Sequence, residues 1–298
     1  MKQITLLIVL LLAICGLTNC KQSQTKERSI TVTIEPQRYF AEKIAGDKFK
    51  IISMVKAGSN PESYDPSPQQ MVSLGDSEAY FKIGYIGFEM AWMENLIQNN
   101  PHLKVFDLSN GFELIESDAH ANCGVAGHNH AADHSHGAID PHIWSSVLGA
   151  KTISSNILKA LISLDPSNEA YYTANYNQLM QEIAVTEQAL VKKLDALPSR
   201  TFIIYHPALT YLAEEFNLSQ LCIEMDGKEP SPALLKELIE TAQANQTKVV
   251  FIQEEFDQKN AELIAKETGC QLVQINPLSY NWHDELLRIA DALHANQP

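Results

Sequence analysis

Five of the ten histidines in this 298-residue chain fall between Ala119 and Gly137, in a run of small and polar residues: His120, His128, His130, His134 and His136. Unprotonated imidazoles at such loose spacing are good ligands for zinc, copper and nickel and poor ones for calcium or magnesium. With little apolar surface to bury, the run is expected to be a solvated loop that handles metal. Its mid-chain position argues against a tag; a neutral low-complexity insert is the competing reading. Cys123 lies inside the run and reads equally as a thiolate ligand or a bystander. Three further side chains, Glu62, His142 and His206, carry ligand chemistry elsewhere. Two imidazoles and a carboxylate from separate elements can form a three-ligand zinc site, with zinc–ligand distances of roughly 2.0–2.2 Å. Singly, His206 could be a core histidine or a helix cap, and Glu62 a surface charge. Where the chain places them makes the site the better reading.

That placement follows from an alternation of β-branched apolar runs with helix-period runs, the signature of parallel sheets covered by helices. Strands are predicted at 29–35, 49–55, 79–83 and 103–106, and again at 201–205, 220–223, 248–253 and 271–275. In open parallel sheets, ligands sit beyond the carboxyl ends of the strands. After 49–55 comes a loop rich in Gly and Pro that presents Glu62. After 201–205 come His206 and Pro207, the latter placed to begin a helix over 208–216. Glu254 and Glu255 follow 248–253, and Asn276 follows 271–275. His142 stands just beyond the histidine run and just before a helix, whereas His102, His283 and His294 have no such context.

Between the halves the alternation breaks. Residues 147–164 read as one helix, stopped by Asp165 and Pro166. Residues 167–197 then continue without Gly or Pro, with Tyr172, Tyr176, Leu179, Ile183, Leu190 and Leu194 at helical spacing. At 1.5 Å per residue such a helix spans roughly 45 Å, long enough to act as a stiff strut; two shorter helices with an unsignalled kink are the alternative.

The N-terminus reads as a secretory leader: one lysine, then a mostly apolar run from Ile4 to Leu17, short for a membrane span. It ends at Leu17-Thr18-Asn19-Cys20, which resembles a bacterial lipoprotein cleavage site with Cys20 as the acylated residue. Asn19 departs from the usual small residue, and Cys15 is a weaker alternative. Residues 20–28 are polar and read as a tether, and no later segment is expected to cross a membrane. Loss of residues 1–19 removes one lysine and no acid, moving the formal charge from −14 to −15. That balance argues against nucleic acid or anionic lipid as a partner and is compatible with cations. Cys123, Cys222 and Cys270 remain in the mature body, which permits at most one internal disulfide without fixing the pair.

Several segments in order give the chain a family likeness. They are Ala41-Glu42-Lys43-Ile44-Ala45-Gly46-Asp47, Gly58-Ser59-Asn60-Pro61-Glu62-Ser63-Tyr64-Asp65-Pro66-Ser67-Pro68, Asp140-Pro141-His142-Ile143-Trp144, Tyr205-His206-Pro207-Ala208 and Glu229-Pro230-Ser231-Pro232. Over residues 31–293 the chain resembles the zinc- and manganese-binding substrate-binding proteins of bacterial ABC transporters, the ZnuA/TroA-like group.

The resemblance implies an α/β fold of two (β/α) lobes with parallel sheets, joined by one long rigid helix, with a metal cleft between them. The lobes are expected at 29–146 and 198–298, the helical segment at 147–197 and the histidine loop at 119–137. His142 and His206 fall where the family places histidine ligands, whereas Glu62 falls where zinc-binding members usually carry a histidine. Asn276 stands where many members have an acidic fourth ligand, and Gln253 where a cleft glutamate is common. The fourth position is therefore open among Asn276, Glu255 and a water. Two histidines with one carboxylate suit zinc and accept manganese or iron; the histidine loop tips the expectation to Zn2+, with Mn2+ as the alternative. The implied protein is a monomeric, non-enzymatic receptor, anchored through Cys20 outside the cytoplasm, that delivers its ion to a membrane permease. A zinc hydrolase and an adhesion protein are the competing classes; no His-Glu-x-x-His helix supports the first.

Overall fold

The computed structural model describes residues 27–117, 138–224 and 230–295. The leader, Cys20, Cys123 and the five histidines of the 119–137 run lie outside them.

Short apolar runs form two four-stranded parallel sheets. The first has the order β2-β1-β3-β4, from β1 (Ser29–Val32), β2 (Lys50–Ser53), β3 (Ala79–Lys82) and β4 (Lys104–Asp107). Its register sets Ile30 beside both Ile51 and Ala79. Two short strands, β5 (Glu116–Ser117) and β6 (Ala138–Ile139), pair antiparallel. The second sheet has the order β10-β9-β7-β8, from β7 (Thr201–Ile204), β8 (Ser219–Cys222), β9 (Val249–Gln253) and β10 (Gln271–Ile275). There Ile203 pairs with both Leu221 and Val250. The chain order reverses between β1 and β3 in one sheet and between β7 and β9 in the other, which are the crevices where such sheets bind ligands.

The first strand is shorter than its hydrophobic run suggests. Helix α1 (Glu35–Ala45) already includes Glu35, because the Gln37 side chain accepts from the amides of Thr33 and Ile34 at 3.0 Å each and Pro36 sits in the first turn. Pairing beside β2 instead runs on past its assigned end, with Met54 and Val55 donating to the carbonyls of Val32 and Thr33.

Helices α2 (Pro68–Leu74) and α3 (Gly87–Asn99) follow β2 and β3. Helix α4 (Val147–Leu164) matches its expected bounds. It is long and apolar enough to pass for a membrane span, contrary to the sequence reading. Half of it is buried within the protein, however, where it packs against α1 and the next helix. That next helix, α5 (Glu169–Leu194), is unbroken over 26 residues, so the two-helix alternative falls. The residues just before it form a separate 3-10 turn, Pro166–Asn168, and the rod spans roughly 39 Å rather than 45.

The strut touches both halves. Lys43 of α1 pairs with Glu182 at 2.7 Å, and the Thr186 hydroxyl meets His283 Nδ1 at 2.5 Å on α9 (Trp282–Ala295). Helices α6 (Thr210–Glu215), α7 (Pro232–Ala244) and α8 (Lys259–Thr268) cover the second sheet. Pro207 therefore does not begin a helix; α6 starts three residues later, after a turn closed by Ala208 donating to the His206 carbonyl.

One apolar core runs through both lobes, from Ile30 and Phe40 to Phe202, Phe251 and Trp282. Trp282 Nε1 donates to the Trp144 carbonyl at 2.7 Å and Trp144 Nε1 to the Pro277 carbonyl at 3.0 Å. On the same seam Tyr280 donates to Glu42 at 2.7 Å. A shared core and buried cross-links of this kind leave little freedom for wide hinge opening. Cys222 is disulfide-bonded, whereas Cys270 is a free, buried thiol facing the Thr247 carbonyl.

Candidate metal centre

Glu62 is set by turn chemistry. Asn60 Oδ1 accepts from the Glu62 amide at 2.9 Å, the Asx turn expected where Asn precedes Pro. The loop then lies on the start of α3: Phe88 donates to the Pro61 carbonyl at 2.9 Å and Gly87 to Glu62 Oε2 at 2.8 Å. The other carboxylate oxygen, Oε1, is buried and has no hydrogen-bond partner among the described residues. A buried carboxylate oxygen without a donor is costly unless a cation satisfies it.

His142 precedes the 3-10 turn Ile143–Ser145 and is buried. Asp140 Oδ1 accepts from both its amide and its Nδ1 at 2.8 Å. Burial alone would raise the Asp140 pKa, but His142 beside it and the Thr210 hydroxyl bring it below the ordinary carboxylate value. Burial likewise opposes protonation of His142, yet Asp140, together with Glu62 and Glu255, holds its pKa above the usual histidine value. An ionised carboxylate only accepts, so the proton of the neutral ring is assigned to Nδ1 and the lone pair to Nε2.

His206 follows β7, as its place in the sequence predicts. Its amide donates to Gln253 Oε1 at 3.3 Å, and the Gln253 amide returns a bond to its carbonyl, locking the strand end to β9. Its Nδ1 faces Glu224 at 3.4 Å, and the Phe256 ring stacks on it at 5.2 Å and 19°. That leaves Nε2 pointing at His142 Nε2, 3.2 Å away.

These residues share one hollow. Glu62, His142, His206 and Glu255 line it with Trp144 and Phe256, and the free space is about 10 Å³. That holds one water-sized object and no organic substrate. Burial, then Glu254, raises the Glu255 pKa against the opposing pull of the histidines. Among the described residues no three ligand side chains are already closed into a cluster; the two histidines face each other with their Nε2 atoms 3.2 Å apart. Asn276 is not brought in: its Oδ1 accepts from Leu278 at 3.1 Å and its amide donates to Glu254 at 3.3 Å, outside the hollow. The side-chain hydrogen bonds of an Asx turn have already used it.

Three supporting residues escaped the sequence reading. Asp140 had a usable signal, an acid two residues before a histidine. Glu224, beyond β8, obeyed the same strand-end rule. Gly87 had none, since its role exists only in the contact with a distant loop.

The family model described as zinc-uptake complex component A, periplasmic (ZnuA) matches residues 30–289. The high-affinity zinc uptake system protein ZnuA of Bacillus subtilis (strain 168) is 27% identical over 283 residues, covering 90% of this chain and 85% of that protein. The manganese ABC transporter substrate-binding lipoprotein scaA of Streptococcus gordonii is 24% identical over 285 residues, covering 90% and 87%. A crystal structure of ZnuA superposes with a TM-score of 0.83 at 36% identity, covering 91% of this chain and all of that one. The chain belongs to the ZnuA family, the metal-binding receptors of ABC transporters, which are not enzymes.

Proposed function

We propose that this receptor carries zinc, held between the lobes by Glu62, His142 and His206 with Glu255 as the fourth ligand. The observation that carries the reading is the histidine pair. Two nitrogens bound at 2.0–2.1 Å to a tetrahedral ion lie roughly 3.3 Å apart, and the two Nε2 atoms stand at 3.2 Å. Each Nδ1 faces a carboxylate, so neutral rings protonated there would both offer an Nε2 lone pair to one cation. The small hollow suits a four-coordinate ion stripped of water, and a site with two imidazoles binds zinc more tightly than manganese on intrinsic affinity. Manganese is the second reading, favoured by the two carboxylates and by the manganese-named relative.

On this reading Cys20 anchors the protein by its lipid outside the cytoplasmic membrane, and the monomeric receptor hands its ion to the permease. The 119–137 run gathers zinc through weak, fast sites, a multivalent effect that adds no contact at the cleft. Elemental analysis of protein purified without added metal, with competition titrations of zinc against manganese, tests the assignment. One zinc per chain and a preference for zinc support it; manganese as the retained ion overturns it.

A further inference from the structure

The start of α3 has no cap of its own. Its N-cap is Ile86, whose side chain accepts nothing, so the first amides look elsewhere. Gly87 donates to Glu62 Oε2 and Phe88 to the Pro61 carbonyl, and a carboxylate is the favoured partner at the partly positive end of a helix. The approach is close. A Cβ at position 87 would lie 2.4 Å from the Glu62 carbonyl oxygen, 2.7 Å from its Oε2 and 2.8 Å from its Cα. Only glycine lets the loop seat. Behind it, buried Glu89 accepts from the Ile83 amide at 3.0 Å, from the Gly84 amide and from the Thr33 hydroxyl. The turn before α3 is thereby held by Glu89 and tied to Thr33, just beyond β1.

One oxygen of Glu62 is thus committed to the protein, and the buried Oε1, unpartnered among the described residues, is left for the ion. Resting on the metal site proposed above, we propose that Gly87 is a specificity-determining positioning residue: by holding Oε2 it limits Glu62 to one-oxygen coordination and so favours four-coordinate zinc over six-coordinate manganese. Zinc is content with four ligands, whereas manganese prefers an octahedral, oxygen-rich shell that two-oxygen carboxylates help to complete.

Cobalt(II) reports coordination number, absorbing strongly in the visible when four-coordinate and weakly when six-coordinate. The wild-type protein loaded with cobalt is expected to absorb strongly; a weak spectrum overturns the proposal. In Gly87→Ala, checked for folding by circular dichroism, zinc affinity should fall by about tenfold or more, the scale of losses for residues that orient a ligand. Manganese affinity should change much less, so the zinc-to-manganese ratio drops; equal losses for both ions overturn the proposal. Should that variant not fold, Glu62→Asp leaves α3 intact. One methylene shorter, it reaches the Gly87 amide or the ion but not both, and zinc affinity should fall at least tenfold; wild-type affinity contradicts the proposal. Zinc binding that survives Glu62→Ala would instead remove Glu62 from the metal site altogether, a failure of the underlying reading.

Discussion

His142 and His206 meet through Nε2 atoms 3.2 Å apart, while each ring turns its Nδ1 toward a carboxylate, Asp140 at 2.8 Å and Glu224 at 3.4 Å. Orientation of both rings from behind is what the proposed metal site requires of this pair.

A ligand that binds only the folded protein stabilises it by about 2.7 kcal/mol at a free concentration one hundred times its Kd. His206→Ala should abolish most of the zinc-induced rise in melting temperature. A rise equal to that of the wild type would take His206 out of the site.

Asp140 acts through His142. Asp140→Ala removes the acceptor of both the ring Nδ1 and the backbone amide, and zinc affinity should fall about 10- to 100-fold. Asp140→Asn, which keeps an oxygen but loses the charge, should fall less. Competition titration reads both, and an affinity unmoved by either change refutes the positioning role.

Glu89 gives a pH signature. Burial, opposed by the Thr33 hydroxyl and the Gly84 and Ile83 amides, raises its pKa from 4.5 to about 7. A carboxyl with a raised folded-state pKa binds more protons folded than unfolded, so stability is lost as pH rises from about 4.5 through about 7, by about 3 kcal/mol over the window. Glu89→Gln lacks this titration. The difference in unfolding free energy between wild type and variant should shift by about that amount between pH 4.5 and 8; a constant difference contradicts it.

Deleting residues 119–137 should slow zinc capture at low zinc and leave one tight site in the cleft. Stopped-flow uptake with a zinc indicator separates rate from stoichiometry. Loss of the tight site with the run would show that the division of labour is wrong.

Much of the frame was legible because it rests on local pattern. The strands of both sheets and the strut follow from the spacing of apolar residues, Glu62 and His206 from their place beyond strand ends, and His142 from its place between the histidine run and a helix. The boundary at Glu35 was not, because Gln37 reaches back to take the amides a longer strand would have used. Nor could the pattern choose between Asn276 and Glu255, both of which follow strands. Only packing shows that Asn276 spends its side chain on Leu278 and Glu254 while Glu255 faces the histidines. Contacts between segments distant in sequence, such as Gly87 with Glu62, leave no periodic trace.

The most direct test is a crystal of the zinc-loaded protein examined by anomalous scattering at the zinc edge. One strong peak is expected in the cleft, about 2.0–2.2 Å from His142 Nε2, His206 Nε2 and Glu62 Oε1. A principal peak elsewhere, or one that either histidine fails to touch, would contradict the proposed site.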